Sequence, residues 1–395
     1  MTIALLEALT FGLARTADAA ERAGHRLVLL TGDRSIYAHE LATIAPGRVE
    51  VVDIDTTDIP ACEAALRAIP DLAGLINSTD TWAIPGAETA ARLGLPGPVP
   101  AVARLLRDKG AVRTLLHEAN LSSAPAARVD DLARVTLPYP FIAKDSAGTS
   151  SRAVWLIRDD AERLAATREH RETPLKGHLI VEPYFTGPVY SAETLTWRGH
   201  TRLLAITSRA LSPEPLRREE SASLPTPHPD HADLEKWAAA VLAAAGHANG
   251  FAHTEFALTP SGPEVVEINP RIGGALIGEA LCRSLNTNVY EAMVAIALDQ
   301  PPALIDGDTP PVQGIAFALV YPSAPGTLKT WTGLDRLAAY PGSPEWYPTA
   351  RPGAVITTLG DQRACTGIVL AHGPTAELAH HNAQAAAATV QAITE

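Results

Sequence analysis

EVVEINPRIGG, residues 264–274, sets two polar side chains, Glu267 and Asn269, two apart in an otherwise apolar run. Side chains alternate along a strand, so Glu267 and Asn269 share one face while Val266 and Ile268 take the other. The preceding residues, FAHTEFALTPSGP, supply a partner strand and a turn over Thr259 to Pro263. With the turn centred on Ser261, Glu255 falls opposite Glu267, and His253 joins the same polar face. Facing carboxylates repel across a strand pair, so a cation is needed to offset them. Two carboxylates and one amide form an all-oxygen donor set, which suits Mg2+ or Mn2+ rather than Zn2+. A hairpin with one solvated face is the plainer alternative. Against it, the strand stops at Pro270 and at once offers Arg271 and the Gly273–Gly274 pair, which bring a guanidinium and bare backbone to an anion. The stretch therefore points to a metal–phosphate site.

Working outward, the first hundred residues alternate apolar runs with helical segments. TIALLEAL, HRLVLLTGD, RVEVVDID and LAGLINSTD are expected strands, and TADAAERAG, DIPACEAALRAI and PGAETAARLG are expected helices. Such alternation predicts a parallel sheet with helices on both faces. Its ligand contacts lie beyond the carboxyl ends of the strands, near Thr79 and Asp80 for the fourth. No G-x-G-x-x-G follows the first strand, which leaves a dinucleotide cofactor unsupported. LGLPGPVPAV marks a boundary, and AVARLLRDKGAVRTLLHEA is expected as one helix after it. Lys109 and Arg113 are four apart and share a helical face; by themselves they read as a solvated basic face. From residue 138 strands dominate. PFIAKDSAGTSSRAVWLI holds two around a small-residue loop, and HLIVEPYFTGPVYSAETLTW two more around Thr186-Gly187-Pro188. ADLEKWAAAVLAAAG is helical. The last region is expected to hold strands in QGIAFALVY, AVITTL and ACTGIVLAH, then an Ala-rich helix to the end.

Composition narrows the class. At 395 residues and 46% hydrophobic, the chain is an ordinary globular protein of two or three units. A net charge of -12 argues against a duplex-DNA partner, and 5% aromatics weakens any base-stacking surface. Cys62, Cys282 and Cys365 show no metal-ligand spacing and suggest free thiols in a reducing compartment. Glu7 inside the first apolar run favours a strand over a signal peptide, and no run reaches the length of a membrane span. A cytoplasmic location is expected, with neither nucleic acid nor membrane as partner.

Four segments in order, RDKGAVRTLL, PFIAKDSAGTSSRAV, LIVEPYFTGPVYSAE and HTEFALTPSGPEVVEINPRIGG, resemble the ATP-grasp superfamily. Within it they resemble the carboxylate–amine ligases, especially the amino-acid ligases that make dipeptides. The resemblance implies an ATP-grasp architecture of α/β and α+β type, with a nucleotide held between two lobes. Its parts would be an N-terminal parallel α/β domain (1–97), an ATP-grasp domain (98–300) with a lid over about 138–208, and a C-terminal mixed α/β region (301–395). It implies ATP and Mg2+, with Mn2+ as the other admissible ion. Lys109 would reach the nucleotide phosphates, and Lys144 the α-phosphate and adenine side. The loop holding Ser146, Gly148, Thr149, Ser150 and Ser151 would close over the β- and γ-phosphates with its backbone N–H groups. Glu182 would open the hinge, where Pro183 and Tyr184 bond adenine through their backbone. Glu255, Glu267 and Asn269 would be the magnesium ligands, and Arg271 would hold the transferring phosphate.

Departures fall at the ribose contact, where Val189 and Pro183 replace acidic residues common in relatives. Glu193 is left as a loose candidate for a nucleotide-side role. Arg209 stands where lysine is usual. The implied reaction is attack of a substrate carboxylate on the γ-phosphate, then of an amine on the resulting acyl-phosphate. The substrates would be small amino acids or related acids. Alternatives are loading of an amino acid onto a carrier protein or natural-product scaffold, and a nucleotide-binding protein without turnover. His253 is expected to be structural, Arg283 to form a surface salt bridge, and Trp331, Tyr340, Trp346 and Tyr347 to pack. A homodimer is the ordinary expectation.

Overall fold

The computed structural model describes residues 1–149, 152–214, 218–228, 230–307 and 310–395. The N-terminal apolar runs become β1 (Thr2–Leu6), β2 (Arg26–Thr31), β3 (Val49–Asp53) and β4 (Leu72–Ile76), parallel throughout and ordered β3-β2-β1-β4. Every residue of β1 is buried because helices cover both faces. Ile3 and Leu5 pack with Leu13 and Ala17 of α1 (Leu13–Arg22), while Ala4 and Leu6 pack with Cys62 and Leu66 of α3 (Ile59–Ala68). The remaining helices are α2 (Ala38–Thr43) and α4 (Ala83–Leu93). Glu7, just past β1, is buried but accepts bonds from Thr31 Oγ1 (2.9 Å), Gly32 N (2.8 Å), Tyr37 OH (2.7 Å) and Thr56 Oγ1 (2.7 Å). Four donors make a buried carboxylate tolerable, and here they tie together the carboxyl ends of the strands.

The single helix expected after the Pro/Gly break is two: α5 (Pro100–Leu106) and α6 (Lys109–Glu118). Asp108 separates them by accepting from the N–H groups of Gly110 (3.0 Å) and Ala111 (3.1 Å). That N-cap starts a new helix and makes Lys109 its first residue. A four-stranded sheet follows, with β5 (Ala127–Arg128), β6 (Phe141–Asp145), β7 (Val154–Ile157) and β8 (Leu179–Pro183) in the order β5-β8-β6-β7, and with α7 (Asp160–Glu172) beside it. This lid ends at Pro183 rather than near 208. β9 (Val189–Trp197) and β10 (His200–Leu211) instead pair with each other, and β9 with β12 (Gly250–Thr259), in the main sheet.

The main sheet also takes β11 (Glu219–Leu224), β13 (Gly262–Asn269), β14 (Gly314–Val320), β16 (Glu345–Pro348) and β18 (Gly367–Gly373), ordered β13-β12-β9-β10-β11-β14-β18-β16. Helices α8 (His231–Ala244), α9 (Ile277–Ser284), α10 (Tyr290–Ala297) and α11 (Ala376–Ala387) flank it. The C-terminal region thus continues the sheet that carries the hairpin. It adds a small sheet of β15 (Gly326–Thr332), β17 (Val355–Ile356) and β19 (Gln391–Thr394). The helix expected to run to the end stops at Ala387, because Ile393 and Thr394 are β-branched and pair with β15. Trp331 and Trp346 meet edge to face at 5.6 Å as packing residues. Cys62, Cys282 and Cys365 are unpaired thiols. Among the described residues, no helix is long and apolar enough to cross a membrane.

Docking of the N-terminal domain rests partly on Glu279 of α9. It accepts from Arg15 Nε and Nη2 at 2.9 Å each, and from Arg283 Nε at 2.7 Å. Arg283 also grips Glu345 and Tyr347, so it is committed to structure. Burial alone would raise the Glu279 carboxyl, but the bonds from Arg15 and Arg283 outweigh it and hold the pKa below the ordinary 4.5. A carboxyl depressed in the folded state stabilises above its unfolded pKa and loses that contribution as pH falls through the folded value. Glu279→Gln should therefore cost about 2 kcal/mol at pH 7. The deficit should shrink below about pH 4, as urea unfolding at the two pH values would show.

Candidate active site

The hairpin places Glu255 opposite Glu267 and His253 opposite Asn269, as the alternation predicted. The loop is shorter than expected, since Thr259 pairs with Gly262, and this alone would shift the register by one. A bulge between Glu255 and Phe256 restores it and leaves Val266 as the extra residue. The Val266 carbonyl then accepts from Lys144 Nζ at 3.3 Å. A local irregularity thus binds the lid lysine to the hairpin.

The facing carboxylates are offset in a way the sequence did not suggest. Glu255 pairs with Arg209 Nη1 (2.5 Å) and His253 Nε2 (3.4 Å), while Glu267 pairs with Lys109 (3.0 Å) and Arg107 (3.7 Å). Arg271 grips Asp80 through Nε (2.9 Å) and Nη2. Glu193 and Glu219 complete the carboxylates, held by His253 and Arg209. Burial of His253 is more than offset by Glu193 and Glu255, which push its pKa up to about 9, so it carries charge at neutral pH. Burial likewise acts to raise Glu255 and Asp80, but Arg209 and His253 around the one, and Arg271 with Arg107 around the other, keep both below the usual range. Asp80, Glu193, Glu219, Glu255 and Glu267 are therefore matched by Arg107, Lys109, Arg209, His253 and Arg271. Repulsion across the hairpin does not by itself demand a divalent ion, because the chain supplies its own cations.

The Asn269 amide brings a third polar group to this point. One end of it lies 3.1 Å from Asp80 Oδ1 and 3.2 Å from Glu267 Oε1. Turned one way, its NH2 donates to both carboxylates. Turned the other way, three oxygens converge, which only a cation stabilises. Among the described residues no three His, Cys, Asp or Glu side chains group as a metal centre; the oxygen set here includes an amide. These residues fit a hard, oxygen-preferring ion.

Beside this core lies the small-residue loop that follows β6. Asp145 shapes it by accepting from Ala147 N (3.0 Å), Lys176 N (2.7 Å) and Gly177 N (2.9 Å). Gly148 is buried, and a Cβ there would press on Asp145 Cβ at 3.1 Å and on the Arg152 carbonyl at 3.2 Å. Lys109 Nζ donates to the Gly148 carbonyl at 2.6 Å, which links lid, helix and Glu267. Thr149 Oγ1 accepts from Lys176, and Ser146 is buried against His178. Ser150 and Ser151 lie outside the described residues.

Lys144 Nζ sits 2.6 Å from Glu182, which also accepts from Arg113 Nε at 3.2 Å. Burial opposes the Glu182 charge, but Lys144 and Arg113 hold its pKa below the usual value. Arg113 is 3% exposed and also pairs with Glu264 (3.1 Å), so it is a buried strut and not a solvated face. Pro183 ends β8, and the exposed Tyr184 donates its N–H to the Pro140 carbonyl at 3.3 Å. Glu193 lies under His253, with bonds also from Ser191 and Thr207. A cavity of about 440 Å³ opens on the other side of Pro270 and Arg271, with Leu75, Trp197, Phe251, Ile272, Met293 and Ile296 among its walls.

Sequence reading missed Arg107, Asp145 and Glu219 altogether. Asp80 was found only through its place beyond the fourth strand, and Asp145 had a signal in its position just before the small-residue loop.

Residues 106–275 match the ATP-grasp domain, and residues 318–395 match the L-amino acid ligase C-terminal domain 2. The uncharacterized protein y4rH of Sinorhizobium fredii is 27% identical over 370 residues, covering 88% of this chain and 73% of that one. Carnosine synthase 1 of Gallus gallus is 25% identical over 239 residues, but these are 54% of this chain and only 26% of that protein. The crystal structure of an L-amino acid ligase from Bacillus licheniformis superposes with a TM-score of 0.83 at 21% identity, covering 100% of this chain and 98% of that one. Lid, hairpin and C-terminal sheet are thus the parts of a known design: the chain carries an ATP-grasp domain over residues 106–275 and an L-amino acid ligase C-terminal domain 2 over residues 318–395, on a fold shared with the L-amino acid ligase structure.

Proposed function

We propose that the protein is an ATP-dependent ligase that forms an amide bond between small amino acids or related acids, through an acyl-phosphate and with release of ADP and phosphate. One observation carries the reading: the Asn269 amide and the Glu267 and Asp80 carboxylates converge on one point while Arg271 and Lys109 stand beside it. Magnesium bound there would neutralise phosphate charge. Lys109 and Lys144 hold the polyphosphate, and the loop around Gly148 covers it and excludes water, which an acyl-phosphate requires. Arg271 already forks a carboxylate, that of Asp80, so its geometry suits a carboxylate or the phosphoryl group it acquires. A site whose own charges balance suits magnesium–ATP better than a bare anion. His253, locked between Glu193 and Glu255, stays an orienting cation and not a base.

The test is phosphate release with magnesium and ATP across amino acids, singly and in pairs, with product mass. Turnover that needs a particular pair and gives the condensed mass supports the proposal. ADP formed only with a carrier protein sinks it in favour of the loading reaction, and ATP binding without turnover removes both. The apolar cavity behind Arg271 is assigned to a substrate side chain. Met293→Trp, which narrows it, should raise KM for bulky apolar amino acids about tenfold while KM for ATP holds. An equal rise for glycine would remove that assignment.

A further inference from the structure

The C-terminal region reaches the charged core through a short turn, Gln362–Ala364. Asp361 caps the turn by accepting from Arg363 N at 3.0 Å. Ala364 anchors it in a core with Leu328, Ile356 and Ala392. From this fixed base Gln362 Nε2 donates to Glu219 Oε2 at 3.0 Å. The other oxygen, Oε1, accepts from Arg209 Nε at 3.1 Å, and Arg209 Nη1 in turn reaches Glu255 at 2.5 Å. Two more contacts hold the same segment: Tyr321 OH donates to the Glu219 carbonyl at 2.7 Å, and Arg218 Nη1 donates to the Leu359 carbonyl at 3.2 Å.

Arg209 is thus shared end-on between two carboxylates, although a guanidinium facing one carboxylate prefers a two-bond fork. The sharing persists because Gln362 occupies the second oxygen of Glu219. Without that donor, Oε2 is a buried anionic acceptor that has lost its hydrogen-bond partner among the described residues, which is costly. The nearest remedy is for Glu219 to turn and take both Nε and a terminal nitrogen of Arg209, drawing the guanidinium away from Glu255.

We infer that Gln362 is a positioning residue through which the C-terminal domain sets the charge beside Glu255, the carboxylate opposite Glu267 that the ATP-grasp resemblance makes a magnesium ligand, by keeping Arg209 divided between Glu219 and Glu255. The inference rests on the ligase reading above. Gln362→Met keeps length and removes the N–H donor, Gln362→Lys returns a donor to Glu219, and Arg363→Ala alters the same turn at a side chain paired with Asp361.

Two readouts test it. In the nucleotide-free protein, Mn2+ titrated against Gln362→Met should bind about three- to tenfold tighter than to wild type, since the guanidinium competing for Glu255 has withdrawn. In turnover, Gln362→Met should lose about tenfold in kcat, with Gln362→Lys recovering most of it and Arg363→Ala near wild type. In an Arg209→Lys background, where no fork can form, Gln362→Met should have no further effect. Unchanged Mn2+ binding in Gln362→Met, or losses that simply add in the double variant, overturns the inference. A wild-type protein without amino-acid-dependent turnover overturns the ligase reading alone, because the Mn2+ titration still reports on Gln362. Should Gln362→Met unfold, Gln362→Lys with wild-type melting but Met-like kinetics would equally overturn it.

Discussion

Glu267→Gln should lower kcat about 100-fold or more while leaving the protein folded. Glu267 is the carboxylate on which Lys109 (3.0 Å), Arg107 (3.7 Å) and the Asn269 amide all converge. A glutamine keeps the shape but supplies only one acceptor and no charge, and its NH2 group would face two cations. The fold should survive, because each partner keeps a second bond. Lys109 still donates to the Gly148 carbonyl, and Arg107 still faces Asp80 at 3.7 Å. A melting temperature close to wild type, a fall in kcat and a higher magnesium requirement would together place Glu267 on the metal. Near-normal turnover would end that assignment.

How far the site was legible depended on distance along the chain. The hairpin was legible because alternation and a Pro-Ser-Gly turn are local signals, and even its bulge left Glu255 opposite Glu267. The parallel N-terminal sheet was legible for the same reason, each strand being followed by its own helix. Of the cations that balance the hairpin, His253 was legible from the alternation, but the roles of Arg107 and Arg209 were not. Arg209 stands 46 positions before Glu255, and Glu219 meets Gln362 across 143, and no periodicity links such residues. Arg113 was misplaced because helical spacing says which face a residue shares, but not which distant strand, here those of Glu182 and Glu264, will cover it. The break at Asp108 was legible in principle: Asp before Lys-Gly is a capping signal inside what otherwise reads as one helix.

Arg271→Ala should cost about 1000-fold in kcat/KM, the largest single effect expected here. Arg271 follows the proline that ends β13, and its Nη1 donates back to the Ile272 carbonyl at 3.0 Å, which fixes the side chain before any ligand arrives. Its fork is closed by Asp80, from the other end of the molecule's domain structure, so its aim depends on how the N-terminal domain is seated. Two further variants separate charge from geometry. Arg271→Lys keeps the charge but cannot fork, and should recover about tenfold of the loss. Asp80→Asn keeps the guanidinium but frees its orientation, and should lose about tenfold in kcat/KM. If the lysine variant matches wild type, Arg271 acts only as a point charge and the fork does not matter. If Asp80→Asn matches wild type while Arg271→Ala is inactive, Arg271 is aimed by its own backbone and the N-terminal domain has no part in the chemistry. The order alanine, lysine, asparagine, wild type in rising kcat/KM is what a guanidinium held in register across two domains requires.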